Sequence, residues 1–160
     1  MWSSSAKEAA QTTSTFKKKK ASQQSLAPRQ TRSGAIISIS EITLWVEPVP
    51  ASRPRVSKRG TYYGKRYTKF RRAAKHALAQ LKLGKPISGP ISVHCAFYCK
   101  KPKTTKRDIP VGDVDNYLKS ALDSCNGVLW DDDDQIVKCS GRKEFEDADG
   151  PRIVITIFAP

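Results

Sequence analysis

The chain has 160 residues and a formal charge of +14, from 29 Lys and Arg against 15 Asp and Glu. That length suits one domain, 38% apolar content supports a modest core, and no stretch approaches the roughly 18 apolar residues of a membrane span. No apolar segment of a secretory signal follows Met1.

Residues 1–34 are rich in Ser, Thr, Gln, Ala and Lys, with Glu8 as their sole acid. Such a tail buries too little apolar surface to offset its ordering entropy, so it is expected to be disordered and basic, with the folded domain at 35–160. The run Lys17 to Lys20 reads as a DNA tether or a solvated charge block. A nuclear or organellar address is the weaker alternative.

The folded part starts with a β-prone run, Ile36 to Val46, which Pro48 and Pro50 end. A basic, aromatic loop follows from Arg53 to Tyr63. A helix is expected over 68–83, with Phe70, Ala74, Ala77, Leu78 and Leu81 on its buried face and Gly84 as its stop. Ile91 to Cys99 reads as a second strand, and a basic loop leads from Lys100 to Arg107. A second helix is expected over 114–125, its buried stripe formed by Leu118, Ala121, Leu122 and Cys125. Two closing strands, 135–145 and 152–158, flank a turn at Asp147 to Gly150. The order β-α-β-α-β-β implies a small α+β domain: a mixed sheet with two helices packed on a face.

The cysteines, Cys95, Cys99, Cys125 and Cys139, form no CxxC pair and lie in apolar runs. They read as reduced core residues of an intracellular protein, cytoplasmic or nucleoid-associated. Zinc is disfavoured, because Cys95 and Cys99 lie about 13 Å apart on a strand. His94 points away from Cys95 and reads as a solvated or core histidine.

Charge is unevenly distributed. Between Pro48 and Arg107 stand seventeen Lys or Arg and no acid. A one-signed surface of this kind favours a polyanion, so nucleic acid is the expected partner. Arg53, Arg55, Lys58, Arg59, Lys65, Arg66, Arg71, Arg72, Lys106 and Arg107 are the candidate contacts.

The acids are gathered instead. Six of the fifteen stand in Asp113-Val114-Asp115 and in Asp131-Asp132-Asp133-Asp134. Helix capping is the plain account of Asp113, and a first-turn dipole contact that of Asp115. Lys119, four residues after Asp115, lies on the same side of the helix, at the margin of the buried stripe. Four successive aspartates repel one another, and alternation lets at most two face one pocket. An EF-hand is excluded by the missing glycine and glutamate spacing. The short helix between the two stretches is expected to return the second one beside Asp113 and Asp115. Three carboxylates at one point need a cation, and hard oxygen ligands favour Mg²⁺ or Mn²⁺. Such a metal can orient water and stabilise a leaving 3′ oxygen, with Lys119 beside the developing charge.

Asp113-Val114-Asp115-Asn116 with Lys119, then Gly127-Val128-Leu129-Trp130 leading to Asp133-Asp134-Gln135-Ile136-Val137, resembles the RusA family of Holliday-junction resolvases. Arg53-Pro54-Arg55-Val56 and Tyr62-Tyr63 resemble the basic loop of its phage-type members. The resemblance covers residues 36–158. It implies a small α/β fold, a homodimer, and metal-dependent cutting of four-way DNA junctions in recombination and repair. It places the essential acids on Asp113, Asp115 and Asp133, with Asp132 as a possible substitute, and the catalytic lysine on Lys119. Tyr62, Tyr63 and Tyr67 are read first as core or surface packing, with stacking on bases at the crossover as the alternative. The competing readings are a nonenzymatic nucleic-acid-binding module and a nuclease of flaps or forks.

Overall fold

The computed structural model describes residues 22–30 and 36–159, apart from Arg59 and Lys82. The Lys17 to Lys20 run lies outside the described residues. Ten elements follow one another: β1 (Ser22–Gln30), β2 (Ile36–Leu44), β3 (Arg55–Ser57), β4 (Gly60–Tyr62), α1 (Lys65–Ala79), β5 (Ile91–Cys99), α2 (Val114–Cys125), a 3-10 turn (Asp133–Gln135), β6 (Ile136–Phe145) and β7 (Arg152–Ala159).

The main sheet has the order β1-β2-β7-β5-β6, and β3 and β4 form a separate hairpin. Four strands, β2, β7, β5 and β6, carry the domain. The β5–β6 pair is parallel, while β7 runs antiparallel to both β2 and β5. The sheet is therefore mixed and the domain α+β, as the element order implied. A parallel pair needs a crossover, and α2 is that crossover between β5 and β6.

Alternation builds the core. Ile42 and Leu44, Val93, Cys95 and Phe97, and Ile153, Ile155 and Ile157 all turn inward. They meet Tyr67, Phe70, Ala74 and Leu78 of α1 and Tyr117, Ala121 and Cys125 of α2. Both helices thus cover one face. On the other, Arg152 grips Asp147 through two hydrogen bonds of 2.7 Å and lies 3.7 Å from the centre of the Tyr98 ring. His94 is half-buried on that open face and meets the Ser140 hydroxyl at 2.9 Å. Cys95 is buried on the face opposite.

Several local expectations are corrected. Ser22–Gln30, assigned to the disordered tail, pairs antiparallel with β2. The first helix runs 65–79 rather than 68–83, because the chain turns at Gln80 and Leu81, before Gly84. The α2 stripe is shifted by one residue: Tyr117 and Ser120 are buried with Ala121 and Cys125, leaving Leu118 and Leu122 half-buried. Tyr117 turns its ring beneath the helix, where it meets Phe97 at 5.4 Å. The closing strands do not pair with each other, since β5 lies between them. Cys95, Cys99 and Cys125 are buried, and burial pushes the Cys125 thiol up to about 12. Cys139 is exposed instead, on β6, an edge strand among the described residues.

Candidate active site

The chain enters α2 through a loop held from three sides. Lys143 on β6 donates to the carbonyls of Pro110 (3.0 Å) and Gly112. The Tyr117 hydroxyl donates to the Val111 carbonyl at 2.9 Å. Gly112 adopts φ +97°, and a Cβ there would lie 3.2 Å from the Pro50 ring, so a side chain would meet both strain and contact. Ala51 N–H bonds the Asn116 carbonyl at 2.8 Å and brings the start of the basic loop onto the first turn of α2.

These restraints act on backbone and leave the acids open. Asp113 occupies the N-cap position, yet its side chain makes no capping hydrogen bond. Capping therefore does not account for its carboxylate. Asp113, Asp115 and Lys119 are all exposed, with Asp115 and Lys119 on one side of the helix. Asp123, one turn further on, continues that exposed row. Exposed Ile109, Val111 and Val114 surround the helix entry.

The second acidic stretch is bound much more tightly. Trp130 is fully buried and anchors it. Gln135 uses its whole amide: Nε2 donates to Ile87 and Gly89 carbonyls at 2.8 and 2.7 Å, and Oε1 accepts from Asp131 and Asp132 N–H, both at 3.1 Å. The Ser88 hydroxyl donates to Asp131 at 2.5 Å. The Asp132 carboxylate accepts from Asp133 N–H at 2.7 Å and from Asn126 Nδ2 at 3.2 Å, which caps the 3-10 turn. The Asp133 side chain shares a hydrogen bond with Asp132, which holds Asp132 below and Asp133 above the ordinary carboxylate range. Asp132 is thus engaged in fixing the turn.

The two stretches do not meet within one chain. They lie at opposite ends of α2, whose 12 residues span about 18 Å. The expected return of Asp131 to Asp134 beside Asp113 does not occur, because α2 carries the chain back to the start of β6. Among the described residues no group of three His, Cys, Asp or Glu side chains could hold a metal ion.

The basic candidates are exposed, and the hairpin that carries some of them is rooted beside the Asp113 end. Arg53, Arg55 and Lys58 are exposed on or beside the β3–β4 hairpin, and Lys65, Arg66, Arg71 and Arg72 are exposed on α1. Arg66 pairs with Glu47 at 3.0 Å, and Arg71 lies over the Tyr63 ring. Lys106 and Arg107 are exposed in the loop before Asp113, and Arg59 lies outside the described residues. Lys143 and Gln135 escaped sequence reasoning as site-building residues. Gln135 had a signal, since it follows the acids directly; Lys143 had none.

This arrangement, an open acid pair at a helix entry beside a basic arm, coincides with a family match. Residues 46–158 match the model of endodeoxyribonuclease RusA. The chain belongs to the RusA family. The matched segment takes in the basic loop, both acidic stretches and Lys119. RusA membership indicates an endodeoxyribonuclease, of a family that acts on branched DNA junctions. The chain is also 27% identical over 135 residues to the uncharacterized protein YqaN of Bacillus subtilis (strain 168), which covers 73% of this chain and 94% of that protein. Among the described residues no helix is long and apolar enough to cross a membrane.

Proposed function

We propose that this RusA-family protein is a divalent-metal-dependent nuclease that resolves four-way DNA junctions by paired symmetric nicks in recombination and repair, and that it works as a homodimer. The observation that carries this reading is the Asp113–Asp115 pair, exposed and free of capping, at the root of a basic arm. Aspartate oxygens are the donors that Mg²⁺ or Mn²⁺ prefers. In one copy the donor set is divided: Asp113 and Asp115 at one end of α2, Asp133 at the other.

A second copy can complete it. Among the described residues the outer side of β6 has no strand partner. Antiparallel pairing of two β6 edges about a two-fold axis sets the start of one β6, with its Asp133, near the end of the other. That end is where Lys143 holds the entry to α2. A bound metal would supply an oriented water and stabilise the leaving oxygen. Lys119 offers positive charge to the developing phosphorane. Two such sites match the two-fold symmetry of a junction.

The test is cleavage of a synthetic four-way junction with Mg²⁺ and with EDTA, beside flap, fork and linear DNA. Mg²⁺-dependent paired nicks in the junction support the reading. Binding without cutting would favour a nonenzymatic module, and preferential cutting of flaps or forks would move the substrate. Mixing Asp113→Asn chains with Asp133→Asn chains checks the dimer, because each mixed pair rebuilds one intact site. Recovery of single-strand nicking is expected; two inactive variants that stay inactive on mixing would count against a shared site.

A further inference from the structure

The β3–β4 hairpin is an unusual use of chain. All six of its strand residues are exposed. Two strands of three residues are marginal on their own and bury nothing here. Val56 at its centre is 83% exposed, more than any other large apolar side chain described, and Tyr62 is 50% exposed. Folding gives no reason to keep either side chain in water.

The pairing arranges them. Val56 lies opposite Thr61, and Arg55 lies opposite Tyr62. Alternation sends the first pair to one face of the hairpin and the second to the other. Arg53 precedes the arm and Lys58 stands at its turn, so apolar and aromatic surface is carried on a cationic support.

Its root is firm and lies beside the acid pair. Ala51 bonds the first turn of α2, and Pro50 packs on Gly112. At the other end Tyr63 meets Tyr67 edge-on at 5.4 Å, and Tyr67 stacks on Phe70 in the core. The Thr68 hydroxyl donates to the Gly64 carbonyl at 3.2 Å. Tyr67 is buried and Tyr63 is engaged by Tyr67 and Arg71, which leaves Tyr62 as the tyrosine open to a partner.

From this geometry we infer that the β3–β4 hairpin reads the branch point of DNA, with Val56 and Tyr62 contacting bases left unstacked at the crossover. The inference rests on the junction-cutting reading above and adds the element that selects the substrate. Within a linear duplex the base faces are covered by their neighbours, so only Arg53, Arg55 and Lys58 would find partners, on phosphates and without selectivity. A branch exposes stack ends, where an apolar wedge and an aromatic ring both gain contact. Because the hairpin is tied to α2, the branch would be held at a set distance from Asp113.

The full chain carrying Val56→Ser and Tyr62→Ser tests this. Affinities for a four-way junction and for a linear duplex of the same sequence are compared with wild type. A 2-aminopurine base beside the branch reports unstacking. The junction-to-duplex preference should fall by about tenfold or more, the scale of one lost base stack, with duplex affinity unchanged. The 2-aminopurine signal should fall too, while Val56→Leu alone retains both. An unchanged thermal midpoint excludes misfolding at these exposed positions. A double variant that keeps the wild-type preference and signal overturns the inference alone. Wild-type protein that neither prefers nor cuts the junction overturns the proposed function, and the inference with it.

Discussion

The two ends of α2 carry the same residue type under opposite restraints. At the N-terminal end the backbone is pinned by Lys143, Tyr117 and Pro50, and the carboxylates of Asp113 and Asp115 are left open. At the C-terminal end the carboxylates of Asp131 and Asp132 are themselves engaged, by Ser88, Asn126 and the turn N–H. Acid content alone does not distinguish a reactive group from a structural one. What differs between the two ends is whether protein donors already satisfy the oxygens.

The largest effect should come from the open end. Asp113→Asn removes a carboxylate that holds nothing else in place, so junction cleavage should fall at least about a hundredfold. Junction affinity should persist or rise, since a charge facing phosphate is lost. A binding titration beside a cleavage time course reads both; a variant that cuts normally would break the comparison.

At the other end the largest effect should be on folding. Trp130→Ala empties the anchor of the acidic turn and should lower stability by about 3–5 kcal/mol, read from denaturant midpoints. Gln135→Ala should cost about 1–3 kcal/mol, because four backbone groups lose their partner. Asp132→Asn and Asp133→Asn sharpen the contrast within the turn. The first should lower the thermal midpoint and spare cleavage, and the second should do the reverse.

The smallest effect lies outside both ends. The Arg152 guanidinium holds the Asp147 carboxyl down to about 2. A carboxylate with a depressed folded pKa contributes stability above its unfolded value near 3.9, and that contribution is lost as pH falls towards 2. Melting curves between pH 5 and pH 2 should therefore drop more steeply for wild type than for Asp147→Asn.

Much of this was legible along the chain because it is local. Strand alternation at Ile91 to Cys99, the helix over 114–125 and the gathering of acids near Lys119 are all short-range patterns. The family motif, from the basic loop to Val137, is legible for another reason, as a fixed series of residue types and spacings. The tyrosine under α2 was not legible, because periodicity marks a stripe but not which long side chain reaches furthest beneath it. The hairpin gives only a loop signal in the sequence, since two three-residue strands with no buried face leave no alternation.

The sequence by itself determined the composition of the proposed site, an acid pair, a lysine and a second acidic stretch within a basic chain, and it determined the family. Only the tertiary structure decided where those groups stand. The parallel pairing of β5 with β6 requires α2 as a crossover, and a crossover helix returns the chain to the opposite end of the sheet. Asp133 is thereby set a helix length from Asp113, although the two are only 20 positions apart in sequence. Direction within a sheet is a non-local property, and no spacing of residues along the chain encodes it.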